Sequence, residues 1–282
     1  MGRVALVTDN SSGIPTDLAA QLGIRVVPVV VIVDGVVLPE GDSIDIAQAV
    51  RDGVKVSTSR STPEAFTKEF ESLAIEGYEH AVVVTLSSKL SGTFDSAIVA
   101  ARTSPISVSV CDSLSIGLGL GFPVINAARA AQSGASVAQV LEGVEKGIAS
   151  SKVFFYVDSL EYLKRGGRIS ATGALLGTAL SVKPIMTILD GEVVLKEKVR
   201  TQAKALTELV RLAMSCARDY EPALIGLQYF GERSLVDQCA LKIAQELPGS
   251  ELLISEVSPV LGVHAGPGLV GVIVAKQTSH IP

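Results

Sequence analysis

Cysteine is scarce: Cys111, Cys216 and Cys239 are the only three, far apart and odd in number, with no pair at metal-ligand spacing. That excludes a disulfide framework or a cysteine zinc site and leaves reduced, buried thiols as the expectation. Charge is thin as well. Charged residues make up 19% of the chain, with 24 Lys and Arg against 29 Asp and Glu spread along it for a net of -5, which argues against a nucleic-acid groove or a polybasic membrane face. Long apolar runs are missing: the richest, Val26–Val33, contains Pro28 and stops at Asp34, far short of the about 20 residues that span a bilayer. The stretch from Met1 to Val7 runs straight into a strand pattern without the charged, apolar and cleavage regions of an export signal, so a soluble, cytoplasmic protein is expected. Catalytic signatures are absent too. There is no Gly-x-x-x-x-Gly-Lys-Ser/Thr loop, no His-Glu-x-x-His and no Gly-x-Ser-x-Gly, and Gly117-Leu118-Gly119-Leu120-Gly121 misses the dinucleotide spacing, so neither a self-contained catalytic engine nor a cofactor is expected.

What the chain has in plenty is apolar area. Hydrophobic residues are 48% of the 282, enough for about two compact domains with area to spare for a ligand cavity or an interface. In the first half, β-branched runs at Val4–Thr8, Val26–Val33, Ala81–Thr85 and Ser107–Cys111 alternate with helical patterns at Pro15–Leu22, Ile44–Arg51, Pro63–Glu76, Phe94–Arg102, Ile116–Gln132 and Val137–Ser150. That order predicts a largely parallel α/β sheet. The pattern restarts near Ser150-Ser151-Lys152 with a strand at Val153–Val157. At Lys183–Val199 two apolar runs flank Asp190-Gly191, the signature of an antiparallel hairpin. Helices at Gln202–Asp219 and Leu235–Leu247 and strands at Ala223–Gln228, Leu252–Val257 and Leu269–Ala275 complete a mixed second domain.

In an open α/β sheet the ligand crevice lies beyond the carboxyl ends of the strands, so polar clusters directly after strands come first. Three follow predicted strands: Thr8-Asp9-Asn10-Ser11-Ser12-Gly13, Ser87-Ser88-Lys89-Leu90-Ser91-Gly92-Thr93 and Asp112-Ser113. A fourth, Ser57-Thr58-Ser59-Arg60-Ser61-Thr62-Pro63, leads into a helix. Each alone reads equally well as a helix cap. Together they offer hydroxyls and helix-start N–H groups with few fixed cations, which suits one carboxylate or phosphate group. Of the three histidines, His80 and His280 read as solvated. His264 lies between two predicted strands in Gly262-Val263-His264-Ala265-Gly266-Pro267-Gly268, a tightly specified turn. Lys164-Arg165-Gly166-Gly167-Arg168 is either a helix end or a docking patch for an anion. Ile169–Val182, uncharged and rich in small side chains, is either a core helix or the wall of an apolar tunnel.

The conjunction of Thr8-Asp9-Asn10-Ser11, Thr58-Ser59-Arg60-Ser61-Thr62-Pro63, Leu90-Ser91-Gly92-Thr93, Leu163 to Ile169, Lys183-Pro184-Ile185 and His264-Ala265-Gly266-Pro267-Gly268, in that order over nearly the whole chain, resembles the DegV family. The resemblance implies an N-terminal Rossmann-like domain with a parallel sheet at 1–151, a C-terminal mixed α/β domain at 152–282, and one long-chain fatty acid such as palmitate held between them. It implies no catalytic residue of the chain's own. The protein would present its lipid to the ATP-binding subunit of a fatty acid kinase, which forms the acyl phosphate. Carried over, the carboxylate ligands would be Thr62 and Ser91 with His264 close to the same head group. Ser59, Gly92, Thr93, Arg168 and Arg200 would lie towards the head group or the partner. No nucleic acid and no integral membrane segment is implied, while transient membrane contact stays open. Arg60-Ser61 departs from the family's usual Gln-Pro and brings a cation into that loop.

Two other functions compete with the carrier. A serine hydrolase would couple Ser91 to His264 in one pocket, but the nucleophile motif is missing and no carboxylate is evident next to His264. A binding protein for phosphorylated sugars or other small anions would use the hydroxyl loops but leave the apolar excess idle.

Overall fold

The computed structural model describes residues 3–39, 44–169, 182–220, 222–248 and 250–277. The N-terminal half runs β1 (Val4–Asp9), α1 (Thr16–Leu22), β2 (Arg25–Val27), β3 (Val30–Val33), β4 (Val36–Val37), α2 (Ile46–Arg51), β5 (Val56–Ser59), α3 (Pro63–Ile75), β6 (His80–Thr85), α4 (Thr93–Ala101), β7 (Ser107–Asp112), α5 (Leu118–Gln132) and α6 (Val137–Ser150). The C-terminal half runs β8 (Lys152–Tyr156), α7 (Glu161–Arg165), β9 (Lys183–Leu189), β10 (Glu192–Val199), α8 (Gln202–Ala217), β11 (Ala223–Tyr229), α9 (Ser234–Glu246), β12 (Glu251–Glu256), α10 (Pro259–Ala265) and β13 (Val270–Lys276).

Three sheets result. A four-stranded sheet in the order β2-β1-β6-β7 is parallel throughout, as the βα alternation requires. A six-stranded mixed sheet in the order β10-β9-β8-β13-β11-β12 carries the C-terminal half, with β11 and β12 its parallel pair. The hairpin turns at Asp190-Gly191, both in the left-handed region as a tight primed turn needs. The fold is therefore α/β with a parallel N-terminal sheet and a mixed C-terminal one.

The third sheet, β4-β3-β5, is small and antiparallel, and the sequence pattern did not foretell it. The run expected as one strand over Val26–Val33 is two strands in different sheets. Pro28 has no N–H to continue a ladder, and beside it the Asn10 side chain takes both backbone groups of Val29, donating to its carbonyl and accepting from its amide. The chain turns there, and β3 leaves to pair with β5, inside a segment expected to be only a loop. The Gly-rich turn expected around His264 is also different: α10 places His264 in its last turn, and the sharp turn comes after it, at Gly266. His80 is half-buried, its Nε2 2.9 Å from the Ser109 hydroxyl. All three cysteines are free, with Cys239 buried and the other two half-buried. Residues 170–181, most of the uncharged stretch expected as core helix or tunnel wall, and His280 lie outside the described residues. No helix among the described residues is long and apolar enough to cross a membrane.

Helix α5 joins the two large sheets. Leu118, Leu120, Phe122, Val124 and Ile125 are buried in one continuous core with Leu6, Val82 and Val84 of the parallel sheet and Val153, Phe155, Leu224 and Ile273 of the mixed sheet. The glycines that fail the dinucleotide spacing serve this packing. A Cβ at Gly119 would lie 2.4 Å from Val153 Cγ2, and one at Gly121 would lie 2.6 Å from the Ser12 carbonyl oxygen. The first turn of α5 is fixed by Gln228, a buried residue of β11. Its Oε1 accepts from the Leu118 N–H at 2.9 Å, its Nε2 donates to Ser255 Oγ at 3.2 Å, and that hydroxyl donates to the Gly13 carbonyl at 3.0 Å. Gln228→Leu keeps the bulk but strands a buried donor, at an expected loss of about 1–3 kcal/mol. Urea unfolding measures it, and an unchanged midpoint would show that the bridge contributes nothing to stability.

Candidate functional site

A narrow cavity of about 90 Å³ opens where the mixed sheet faces the loops of the parallel sheet. Val153 and Phe155 of β8, Val193 of β10 and Ile273 of β13 form its floor, and Leu86, Leu90, Ile116, Leu163, Val260, Leu261 and Leu269 close it around. The polar members of the lining are few: Thr58, Ser59, Arg60, Ser91, Arg168, Gln228 and His264. With Gln228 committed to α5, Thr58, Ser91, Arg168 and His264 are each held by a hydrogen bond, and Ser59 and Arg60 adjoin Thr58 in the chain.

His264 Nε2 is 2.7 Å from Thr58 Oγ1. Burial and, next, the charge of Arg168 push the imidazole down to about 4, so it is neutral near pH 7. A Cβ at Gly166 would lie 2.3 Å from His264 Nδ1, so only glycine lets the α7 end approach this ring. Arg168 donates through Nε to the Leu90 carbonyl at 3.3 Å and through a second nitrogen to the Gly166 carbonyl. Leu90 precedes Ser91, whose Oγ accepts from the Thr93 N–H at 3.3 Å and lies 3.0 Å from Thr93 Oγ1. Thr93 Oγ1 itself accepts from the Ser61 N–H at 3.3 Å. Either hydroxyl can donate in that pair, and in the arrangement where Thr93 donates the Ser91 proton points elsewhere.

The expected site residues divide. Ser59, Ser91, Arg168 and His264 line the cavity, and Thr93 braces Ser91 from behind. Thr62 does not reach it: the side chain is exposed and caps α3, its Oγ1 accepting from the Ala65 N–H. Gly92 sits at the start of α4, outside the lining, and Arg200 is exposed between β10 and α8. The residue missed is Thr58. On β5 it shares a face with Val56, both half-buried where Ser57 and Ser59 are exposed, so a two-residue period over Val56–Ser59 was the available signal. Ser91 and His264 are not hydrogen-bonded to each other; the serine pairs with Thr93 and the histidine with Thr58.

The loop clusters after β1 and β7 serve the scaffold. Asp9, fully buried, accepts from the Leu86 N–H at 2.8 Å and from the Ser11 amide at 3.0 Å, which ties the ends of β1 and β6 together. Burial pushes its carboxyl above the ordinary value, against those hydrogen bonds. Asp112 accepts from the Leu114 N–H at 2.9 Å and the Ser88 N–H at 3.2 Å.

Residues 3–277 match the model of the DegV family, a family described as uncharacterised. The chain belongs to the DegV family. It is 38% identical over 278 residues to a DegV domain-containing protein of Streptomyces coelicolor, covering 97% of this chain and 99% of that one. A DegV family protein from Thermus thermophilus, whose structure is described for its fatty acid binding, superposes with a TM-score of 0.91 at 34% identity, covering 97% of this chain and 99% of that one. DegV of Bacillus subtilis, described as a fatty acid binding protein, superposes with a TM-score of 0.90 at 26% identity, over 98% of this chain and all of its own.

The neutral imidazole makes stability depend on pH in a stated direction. Unfolded, His264 takes up a proton near pH 6.5; folded, it does so only near 4. Between those values the unfolded chain binds more protons, so stability falls as pH drops through the window, by on the order of 3 kcal/mol when fully developed. Thermal melts of the wild type and His264→Gln across that window test this: the variant should lose less stability on acidification, and parallel losses would assign the effect elsewhere.

Proposed function

We propose that this DegV protein carries a single long-chain fatty acid with its head at the polar end of the cavity between the parallel and mixed sheets, whose walls part to admit the chain because about 90 Å³ holds only a few methylenes, and presents the carboxylate to a separate ATP-dependent kinase. The observation that carries the reading is the cavity itself: apolar walls with donors confined to one end. Burying about 15 methylenes at about 0.8 kcal/mol each gives on the order of 12 kcal/mol gross. Losses of chain and translational freedom bring that down to tight but releasable binding. In this reading the carboxylate is held by the Ser91 hydroxyl and by the Thr58–His264 pair, with Thr62 left to its cap. A clamp of neutral donors leaves a carboxylate oxygen open to attack a phosphoryl donor. Domain limits at 1–151 and 152–282 would place the cavity between the two domains.

The separate commitments of Ser91 to Thr93 and of His264 to Thr58 support a carrier over a serine hydrolase, since neither residue activates the other. The apolar walls support a lipid over a sugar phosphate. Arg200, exposed and without an ion-pair partner among the described residues, suits docking to a negatively charged kinase surface more than ligand burial.

Native mass spectrometry before and after organic extraction tests the carrier directly. The added mass of one long-chain acid, removed by extraction, is expected; clean apo mass from a lipid-rich host would sink the reading. Ser91→Ala and Thr58→Val should each weaken binding of a fluorescent fatty acid by about 5- to 150-fold, the cost of one lost donor to a buried anion. Circular dichroism checks the fold, and unchanged affinity in both removes the clamp. Arg200→Ala should keep its lipid while acyl-phosphate formation with purified kinase falls; a lipid-free variant would place the arginine at the ligand instead.

A further inference from the structure

Helix α5 is buried without a break from Leu118 to Ala128, and a single residue of that run is polar. Asn126 is only 7% exposed, and its side-chain amide makes no hydrogen bond among the described residues. A buried amide without partners carries a desolvation cost, which a ligand that supplies the partners removes. The amide lies on the wall of a groove of about 970 Å³ bounded by α5, α6, the start of β11 and the end of β13. That groove shares no lining residue with the apolar cavity. Gly117, where α5 meets the cavity, is roughly 13 Å away along the helix.

Two further groups in the groove are uncommitted. The Tyr220 hydroxyl makes no hydrogen bond and Lys276, exposed at the end of β13, makes no ion pair among the described residues. The other two cations are taken, Arg129 by Glu251 at 3.2 Å and Lys146 by Glu142 at 2.6 Å. The helical wall is built of small residues, Ala127 and Ala130 on α5 and Gly143 on α6, and a Cβ at Gly143 would meet no atom within 4 Å. The free chemistry is therefore an amide that donates and accepts side by side, an aromatic ring and one ammonium. A planar edge with a donor next to an acceptor matches the amide, as the N6 amino group and N7 of adenine do. A flat ring suits a wall without bulky side chains and can stack on a tyrosine. An attached phosphate supplies the counter-charge that Lys276 lacks.

We infer that this groove is a binding site for an adenine nucleotide, with the Asn126 amide on the edge of the base and Lys276 on the phosphate. The site is separate from the lipid cavity and stands whether or not that cavity carries a fatty acid. Asn126→Leu keeps the bulk and removes an amide that nothing in the fold uses, so it should leave the urea midpoint unchanged or raise it. Lys276→Gln changes an exposed side chain only.

The test is equilibrium dialysis of the full chain against AMP, adenosine and inorganic phosphate near neutral pH, in the wild type, Asn126→Leu and Lys276→Gln. One AMP per chain is expected, with adenosine about tenfold weaker for want of the charge-assisted contact. Lys276→Gln should bring AMP down to the adenosine level and leave adenosine unchanged. Asn126→Leu should weaken both by about tenfold, because the contact it removes is to the base. No saturable AMP binding up to millimolar concentration would overturn the inference. So would inorganic phosphate binding as well as AMP, which would mark an anion site that owes nothing to the base, and so would Asn126→Leu retaining full affinity for AMP. A lowered urea midpoint in Asn126→Leu would show that the fold itself uses the amide, and would overturn the inference from the other side.

Discussion

Helix α5 is wedged between two sheets, and its first turn is pinned by the buried amide of Gln228 from the opposite one. A helix start leaves N–H groups that need partners, and here one of them is met by a side chain that crosses from the mixed sheet. The same amide reaches Ser255, and through it the carbonyl of Gly13. The two halves of the chain are therefore registered by hydrogen bonds as well as by apolar contact. That registration is what brings the loops after β6 and the small β5 strand over the face of β8, β10 and β13, and the cavity is the space left between them.

Within that space the chemistry follows from low polarity. A titrating group in apolar surroundings is pushed towards its neutral form, and His264 obeys, with the charge of Arg168 pushing the same way. The result is a polar end made of neutral hydroxyls and imidazole, with guanidiniums at its rim. Neutral donors hold an anion while leaving it reactive, and rim cations attract it without burying an unpaired charge. A hydrolase would need the opposite arrangement, a serine and a histidine joined to each other. In this fold α10 turns His264 towards β5 and the start of α4 turns Ser91 towards Thr93.

Much of this was legible in the residues. The alternation of β-branched runs with capped helical patterns determined the parallel sheet, Asp190-Gly191 determined the hairpin, and the excess of apolar residues over charge called for a cavity or an interface. The loops that follow β5 and β6 were identified from their hydroxyls. These are all local signals, set by side-chain period, turn chemistry and composition, and local energetics enforces them wherever the chain folds.

What only the tertiary structure decided is which hydroxyl faces the cavity and how strongly burial disfavours the charged form of His264. Thr58 and Thr62 lie four residues apart in one polar run, and nothing local separates them. The first is turned inward because β5 pairs with β3, a pairing made possible by the break at Pro28 and by Asn10 holding Val29 from elsewhere in the chain. The second meets the bare N-terminus of α3 and is used up as its cap. His264 is 206 residues from its partner Thr58, and its neutrality comes from burial that no neighbour in sequence supplies. Pairing between distant strands and desolvation are properties of the packed whole, and a sequence read along its length carries them only as possibilities.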